Sequence, residues 1–600
     1  MSVPDATTGR REGVAEVASS SRLLLGVAAV AVAFAAADTY VVVLALPDMM
    51  SAAGLDIDQL QRAAPIISGF LLGYVGMLPL IGRVADLRGR VPVLTGSLVV
   101  FAVGSLVTAS AYDLDSMVAG RFLQGVGGGG LVPATLALVA DLWPVERRGM
   151  PLGVVGAVQE LGSVVGPLYG ALVLAAADWR AIFWLNAAVA LVLAAALLAT
   201  RRTRAAPYAK PARARPDLLG AALVVLVLVA LVLVMREPRA LVTDVTYGLA
   251  FLPVTGSSRW LTPVALVGYG LVALLMLREA TARRSLLDWR SWPATARKTD
   301  VPGALLLAGV LAGIILTFAT SDPQVHVIST AGPWLLAFSL VCAVLFGWRQ
   351  HAAAHPLVPH GALRARAAWG AVLVSFFVGS ALIAALVDIP FFARLTVYPD
   401  SQLDAALILL RFLAALPVGA LLGGWLTGRV PAGVLAALAM SSAALSFAWM
   451  ATWDAHALES AAASVPLVVA GLGFGVAIAP VNAALLARTD ASVHGVASAL
   501  LVVARMVGML VGISALTTIG LRRFYAVAER IPTVQALCPA DPAHCPAYTD
   551  RVVGAGLAQL DTVFAGAAVC AVVSAGLALV TLRGVPTRRL PVTEAMRVSS

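Results

Sequence analysis

Run after run of about twenty apolar residues, enough to cross a bilayer core as a helix, is the feature that most limits what this chain can become. An N-terminal block reads as six such helices, at 23–47, 60–81, 91–111, 116–142, 151–174 and 181–200. A C-terminal block reads as six more, at 369–396, 403–428, 431–452, 463–487, 495–523 and 558–582. Between them an Arg/Pro-rich linker, Arg201 to Pro216, opens a middle segment with four further runs near 218–235, 262–277, 301–320 and 333–348. None alternates apolar and polar residues with period two, which excludes barrel strands. The first run, Leu23 to Pro47, is too long for a signal-peptide core and carries Asp38, so it is expected to stay as helix 1.

The solvent follows from the same runs. With 60% hydrophobic and 12% charged residues, and a mean hydropathy of +0.91, this surface does not belong in water. The net charge of +10 is compatible in principle with nucleic acid or with anionic lipid, and placement decides between them. If the chain starts in the cytoplasm, 29 of the 42 Lys and Arg fall in cytoplasmic tails and loops, ten fall outside, and Arg121, Arg411 and Arg505 lie within helices. That asymmetry is the positive-inside rule. It argues for a multi-pass protein with both termini cytoplasmic and against a nucleic-acid partner.

The middle segment reads as one hairpin written twice. Asp217-Leu-Leu-Gly220 is echoed 83 residues on by Asp300-Val-Pro-Gly303, and Trp260-Leu and Trp334-Leu open the two return helices. Chance matches are easy in apolar low-complexity sequence. The expected organisation is an N-terminal six-helix half (1–200), a central insert with two transmembrane hairpins (201–368), and a C-terminal six-helix half (369–600) with an extracytoplasmic loop at 524–557. The fold class is therefore an all-α polytopic membrane protein with sixteen helices, fourteen being the alternative.

The connector between helices 2 and 3 reads Gly82-Arg-Val-Ala-Asp86-Leu-Arg88-Gly89-Arg90. It resembles the signature loop of the major facilitator superfamily, with Leu87 where a basic residue is usual. A carboxylate there can cap a helix N-terminus while the arginines meet helix C-termini and lipid phosphates, a latch for one of two alternating states. The plainer alternative is an ordinary basic loop. Helix 4 carries Arg121-Phe-Leu-Gln124-Gly125-Val-Gly127, similar to the superfamily's second motif. Gly125-x-Gly127-x-x-Gly130 formally fits a dinucleotide fingerprint, but that requires a preceding strand. These glycines fit close helix packing instead.

Helix 5 reads Gln159-Glu160-Leu-Gly162-Ser-Val-Val-Gly166-Pro167-Leu-Tyr-Gly170. It resembles the antiporter signature of exporters in the superfamily, closing on Gly170-Ala171 where Gly-Gly is usual. Glycines four apart give one smooth face and Pro167 a bend; a packing face with no bearing on direction is the competing reading. Together with Asp38-Thr-Tyr and Val502-Val-Ala-Arg505-Met-Val-Gly, these segments are similar to mycobacterial exporters of the drug:proton antiporter branch with extra central helices. Those exporters move triacylglycerides and related lipids together with an extracytoplasmic lipoprotein. The resemblance implies a monomer in the bacterial cytoplasmic membrane that exports lipids or lipophilic molecules and uses the proton gradient in place of a cofactor. It covers both halves and fails in the middle, where one hairpin is expected and two are read.

Charges deep in the bilayer are expensive and so point to function. At about 1.5 Å per residue, Glu160 and Arg505 each lie roughly 15 Å from the cytoplasmic end of their helices, with Asp38 about 7 Å further out. The resemblance implies that Asp38, Glu160 and Arg505 form the proton-coupling set; a purely structural ion pair is the alternative. Asp388 and Arg411 fall at similar depth nearer the outer face and form a candidate outer pair. Cys538 and Cys545, seven residues apart in an extracytoplasmic loop, are expected to be disulfide-bonded. No His/Cys cluster has metal spacing, no Walker loop is present, and no enzyme reading finds support. Against lipid export stand a polyspecific drug:proton pump and a non-pumping lipid-handling scaffold.

Overall fold

In the computed structural model, residues 6–55, 60–203, 217–282, 292–319, 331–399, 401–539 and 545–587 are described. The linker from 204 to 216 and the loop around His326 lie outside them. The long helices are α1 (Ala6–Ala52), α2 (Leu60–Arg88), α3 (Arg90–Ala109), α4 (Leu114–Leu142), α5 (Gly149–Ala176) and α6 (Trp179–Thr203). The middle segment supplies α7 (Leu218–Arg236), α8 (Pro263–Thr281), the short α9 (Trp292–Thr299), α10 (Val301–Ala319) and α11 (Gly332–Ala352). Then follow α12 (Arg366–Leu395), α13 (Gln402–Thr427), α14 (Ala432–Met450), α15 (Ser464–Ala487), α16 (His494–Ala528) and α17 (Pro546–Thr581). No strand occurs among the described residues.

Fifteen of these helices are long and apolar enough to cross a membrane, and α9 with α10, bent by 54°, makes a sixteenth if the two count as one span. The protein is thus a multi-pass membrane protein. Packing repeats across the two blocks. In the first, α1 packs on α5, α2 and α3 on α4, and α3 on α6. In the second, α12 packs on α16, α13 and α14 on α15, and α14 on α17. The blocks meet through α2 against α16 and α5 against α13. Phe392, Phe447, Phe474 and Phe564 anchor the core of the second block; in the first, Phe70, Phe101 and Leu131 belong to a core that also takes in Ala483 and Val502 of the second block, and Met49 and Phe183 to a further one.

The middle segment forms two hairpins, α7 with α8 and α10 with α11, and α10 also lies on α2. The sequence repeat is matched by a repeated clasp. Asp217 accepts a hydrogen bond from the Gly220 amide at 3.0 Å and from the Arg278 guanidinium at 2.9 Å. Asp300 accepts from the Gly303 amide at 3.3 Å and from Arg349 Nε at 2.8 Å. In each case an acid caps the outgoing helix and holds an arginine near the end of the returning one. The Gly220 amide, then Arg278, hold the Asp217 carboxyl below its ordinary value. The α7–α8 loop reaches the turn before α4, where Trp260 Nε1 donates to the Tyr112 hydroxyl at 3.1 Å. A topology reporter fused at Thr255 is therefore expected to read the same side as one fused between Cys538 and Cys545. A signal from the side bearing Asp86 would remove the first hairpin.

The expected loop at 524–557 is much shorter. α16 continues to Ala528 and α17 begins at Pro546, which sits at a first-turn position that tolerates its missing amide. Cys538 and Cys545 are disulfide-bonded, with Cα atoms 5.7 Å apart. Closing so short a loop contributes about 2–3 kcal/mol on the chain-entropy account. Maleimide is expected to label neither cysteine before reduction and both after it, read by mass shift in a variant lacking Cys342 and Cys570.

Candidate functional site

Two buried polar sites and one cavity lie on the paths that the packing sets up. The first is a latch at the end of the bundle where α2 hands over to α3, called here the Asp86 face. Gly89, with φ +91°, makes the sharp turn between the helices. The Asp86 carboxylate accepts hydrogen bonds from the Gly495 and Val496 amides at 2.8 and 3.0 Å, so it caps the N-terminus of α16, in the opposite half. Arg90 pairs with Asp86 and with Asp141 at 3.2 Å, and donates to the Ala491 carbonyl at 3.2 Å. Gly82 lets the backbones touch: a Cβ there would fall 2.6 Å from the Gly495 oxygen. Arg88 turns instead to the central insert, donating to Thr295 Oγ1 at 2.8 Å and lying over the Trp292 ring at 4.9 Å.

Arg148, which sequence reasoning passed over, adds a second fastening at this face. Its guanidinium donates to the carbonyls of Ala140 and Trp143 at the end of α4, and of Leu486 at the end of α15, at 2.8–3.0 Å. A cation thus serves helix C-termini on both halves, as an anion at Asp86 serves an N-terminus. The polar run Pro144-Val-Glu-Arg-Arg148 right after an apolar helix was the available signal. With these hydrogen bonds crossing between them, the two halves are closed together at the Asp86 face.

The second site is a polar network wholly inside the first half. Asp38 and Arg121 are both 1% exposed and form an ion pair at 2.7 Å. The Asn186 amide also donates to Asp38. Gln124 accepts from Arg121 at 2.9 Å and donates to Ser105 at 2.8 Å. The Tyr169 hydroxyl reaches the Asn186 side chain at 3.3 Å. Phe70 lies against the guanidinium with 4.4 Å to its ring centroid. The expectation that Asp38 joins Glu160 and Arg505 therefore differs from what the structure shows. Ala37 packs its backbone on Gly166, and the next residue, about 100° around the helix, points instead to α4 and α6. Asn186, a lone amide in the apolar run of helix 6, went unread.

The cavity lies between the halves. Gln159 and Gly156 of α5, Val132 of α4, Ser375 of α12, Asn482 of α15 and Arg505 of α16 line it, with apolar side chains between them. It is small and partly open. Arg505 is half-buried here, and so is Glu160, the neighbour in α5 of the lining Gln159. No direct ion pair joins Glu160 and Arg505 among the described contacts. Behind them α5 lies against α1, since a Cβ at Gly162, Gly166 or Gly170 would fall 2.1–2.5 Å from Ala33, Ala37 or Val41. Pro167 sits within the continuous α5, and Gly125 meets the Phe70 carbonyl of α2 equally closely. Asp388 and Arg411 do not pair: Asp388 is half-buried, and the exposed Arg411 donates to Ser464 at 2.8 Å. Matching depth on neighbouring helices did not give matching azimuth. Among the described residues no His, Cys, Asp and Glu group is arranged to hold a metal.

The family model described as Major Facilitator Superfamily matches residues 28–348. A protein named triacylglyceride transporter from Mycolicibacterium hassiacum is 35% identical over 535 residues, covering 87% of this chain and 84% of that one. Its namesake in Mycolicibacterium smegmatis is 32% identical over 576 residues, covering 93% and 87%. In Mycobacterium tuberculosis the corresponding figures are 33% over 519 residues, 84% and 83%. Among solved structures, the human organic anion transporter MFSD10 is similar over 93% of this chain and 99% of its own, at 14% identity and a TM-score of 0.49.

Proposed function

We propose that this chain, which belongs to the major facilitator superfamily, exports neutral lipids or other large hydrophobic molecules across the bacterial cytoplasmic membrane in exchange for protons. It is a transporter, not an enzyme. The observation that carries the exchange is a cavity between the halves that Arg505, from the second, lines together with Gln159, the residue before Glu160, from the first. Ionised, Glu160 attracts Arg505 across that gap and favours drawing the halves together at its level. Protonated, it no longer does, and the balance between inward- and outward-facing forms shifts. A charge whose neutralisation changes which form is favoured is what coupling to a proton gradient needs. The names of the mycobacterial relatives support a lipid cargo. The positive-inside count supports a cytoplasmic Asp86 face, so that the closed form is the outward one. An extracytoplasmic lipoprotein acceptor is the partner this reading expects.

A second reading, export of lipophilic drugs with no dedicated lipid role, is favoured by the cavity's lining, which is mostly apolar with a few polar side chains, Gln159, Asn482 and Arg505, among them. Purified protein in liposomes decides between them. An imposed pH gradient should drive movement of a fluorescent triacylglyceride, and a protonophore should stop it. Glu160→Gln should insert normally and lose at least about tenfold of the gradient-driven rate while still exchanging lipid passively. Movement indifferent to the protonophore rejects proton coupling; movement of lipophilic dyes but not of the lipid selects the drug reading.

A further inference from the structure

The inter-half cavity contains a hydrogen-bond acceptor that the protein itself leaves unused. Asn482 is 8% exposed and lines the cavity beside Gln159 and Arg505. Its Nδ2 donates to the Ile478 carbonyl, one turn back, at 2.9 Å. A carbonyl can only accept, so this bond fixes the amide: the nitrogen faces the helix backbone and the oxygen faces away. That Oδ1 is buried and has no hydrogen-bond partner in the protein. The nearby Ser375 hydroxyl is committed to the Leu501 carbonyl at 3.0 Å, and Val481 and Val502 have nothing to donate.

A buried acceptor without a donor is costly, and native interiors rarely keep one without a use. Two more polar side chains share the lining. Arg505 offers only donors, and Gln159 an amide with two donors and an acceptor. The site therefore holds donors together with an acceptor that the protein leaves unpaired, within apolar walls. A cargo with ester carbonyls alone satisfies Arg505 and Gln159 but leaves the Asn482 oxygen unpaired. A cargo with ester carbonyls and one free hydroxyl satisfies all three.

We propose that Asn482 is a cargo-binding residue that accepts a hydrogen bond from a free hydroxyl, so that the cavity prefers neutral glycerolipids with one unesterified hydroxyl over fully esterified ones. The proposal rests on the export reading for the cavity being the cargo path, and adds to it the chemical class of the cargo. Sites built around a buried hydrogen-bonding group discriminate strongly against ligands that leave it unpaired.

The test is equilibrium binding of radiolabelled dioleoylglycerol and trioleoylglycerol to the purified full-length protein in detergent. Wild type should bind dioleoylglycerol about tenfold more tightly than trioleoylglycerol. Asn482→Leu, close in volume and without an acceptor, should bring that ratio to about one. Asn482→Ser, which keeps an oxygen, should retain part of the preference and also serves if the Leu variant folds poorly. A preference unchanged in Asn482→Leu, or an equal affinity of wild type for both lipids, overturns the assignment while leaving lipid export intact. Binding of neither lipid by wild type overturns both readings.

Discussion

Arg121→Leu is expected to destabilise the protein by about 3–5 kcal/mol, because it removes the cation paired with Asp38, a carboxylate sealed inside the first half. Asp38 and Arg121 are each 1% exposed and 2.7 Å apart. Without the guanidinium, Asp38 keeps the Asn186 amide but has no opposing charge, and the pocket formed by Phe70 and Phe183 around the guanidinium is emptied. Asp38→Asn should be milder, since an amide still accepts from Asn186 while Arg121 keeps the Gln124 oxygen. The pair together should behave differently from either alone. Arg121→Leu with Asp38→Leu removes both charges, and apolar replacement of a buried pair is often neutral or better. Thermal unfolding in detergent, scored by fluorescence-detected size exclusion, reads all four proteins. A double variant no more stable than Arg121→Leu would mean that shape, not charge, holds this site together.

How much of this was legible in the sequence depends on which coordinate is asked for. Hydropathy and residue counting give depth, and depth was read well: the helices lie where the apolar runs are. Arg505 lines the cavity between the halves, and so does Gln159, the residue before Glu160. Azimuth was not legible. Asp38 and Glu160 stand on helices in contact, yet Ala37 occupies the contact with α5, and Asp38 turns a further 100° toward Arg121. Asp388 and Arg411 fail to pair for the same reason. The helix 2–3 loop could be read because its chemistry is local: an acid at a helix end and a glycine at a turn need no knowledge of partners. Its receptor, the Gly495 and Val496 amides more than 400 residues away, could not be read. Nor could Arg148, whose three carbonyl partners include one from the other half. The duplicated Asp-x-x-Gly was visible as text, but its meaning required Arg278 and Arg349 to arrive from the returning helices. Polar residues that continue a helix beyond its apolar run carry no boundary signal, which is why 524–557 was read as loop.

Gly82→Val should abolish the closed state of the Asp86 face. Gly82 and Gly495 touch backbone to backbone: a Cβ on the first would lie 2.6 Å from the second's oxygen, and one on the second 2.4 Å from the first's. These are backbone atoms at helix ends and cannot rotate aside, so a side chain forces α2 and α16 apart. Separation then breaks the two hydrogen bonds from Gly495 and Val496 to Asp86. Hydrogen bonds to a charged group contribute about 1.5–3 kcal/mol each, so losing both favours the opened form by about 3–6 kcal/mol. Shifts of that size move a two-state equilibrium by more than about a hundredfold. Asp86→Asn should act in the same direction with less force, because the amide keeps one acceptor oxygen while losing the pairing with Arg90. Spin labels at Leu87 and Ala491, on either side of the closure, report the separation by pulsed dipolar spectroscopy. Wild type should give a short, narrow distribution, Asp86→Asn a mixture, and Gly82→Val a single longer one. Acid that protonates Asp86 removes the charge held by the two amides and Arg90; a steric wedge should instead hold the face open at every pH. A Gly82→Val distribution that matches wild type would mean that the halves do not close through this contact, and that Arg148 and the packing of α5 on α13 carry the closure without it.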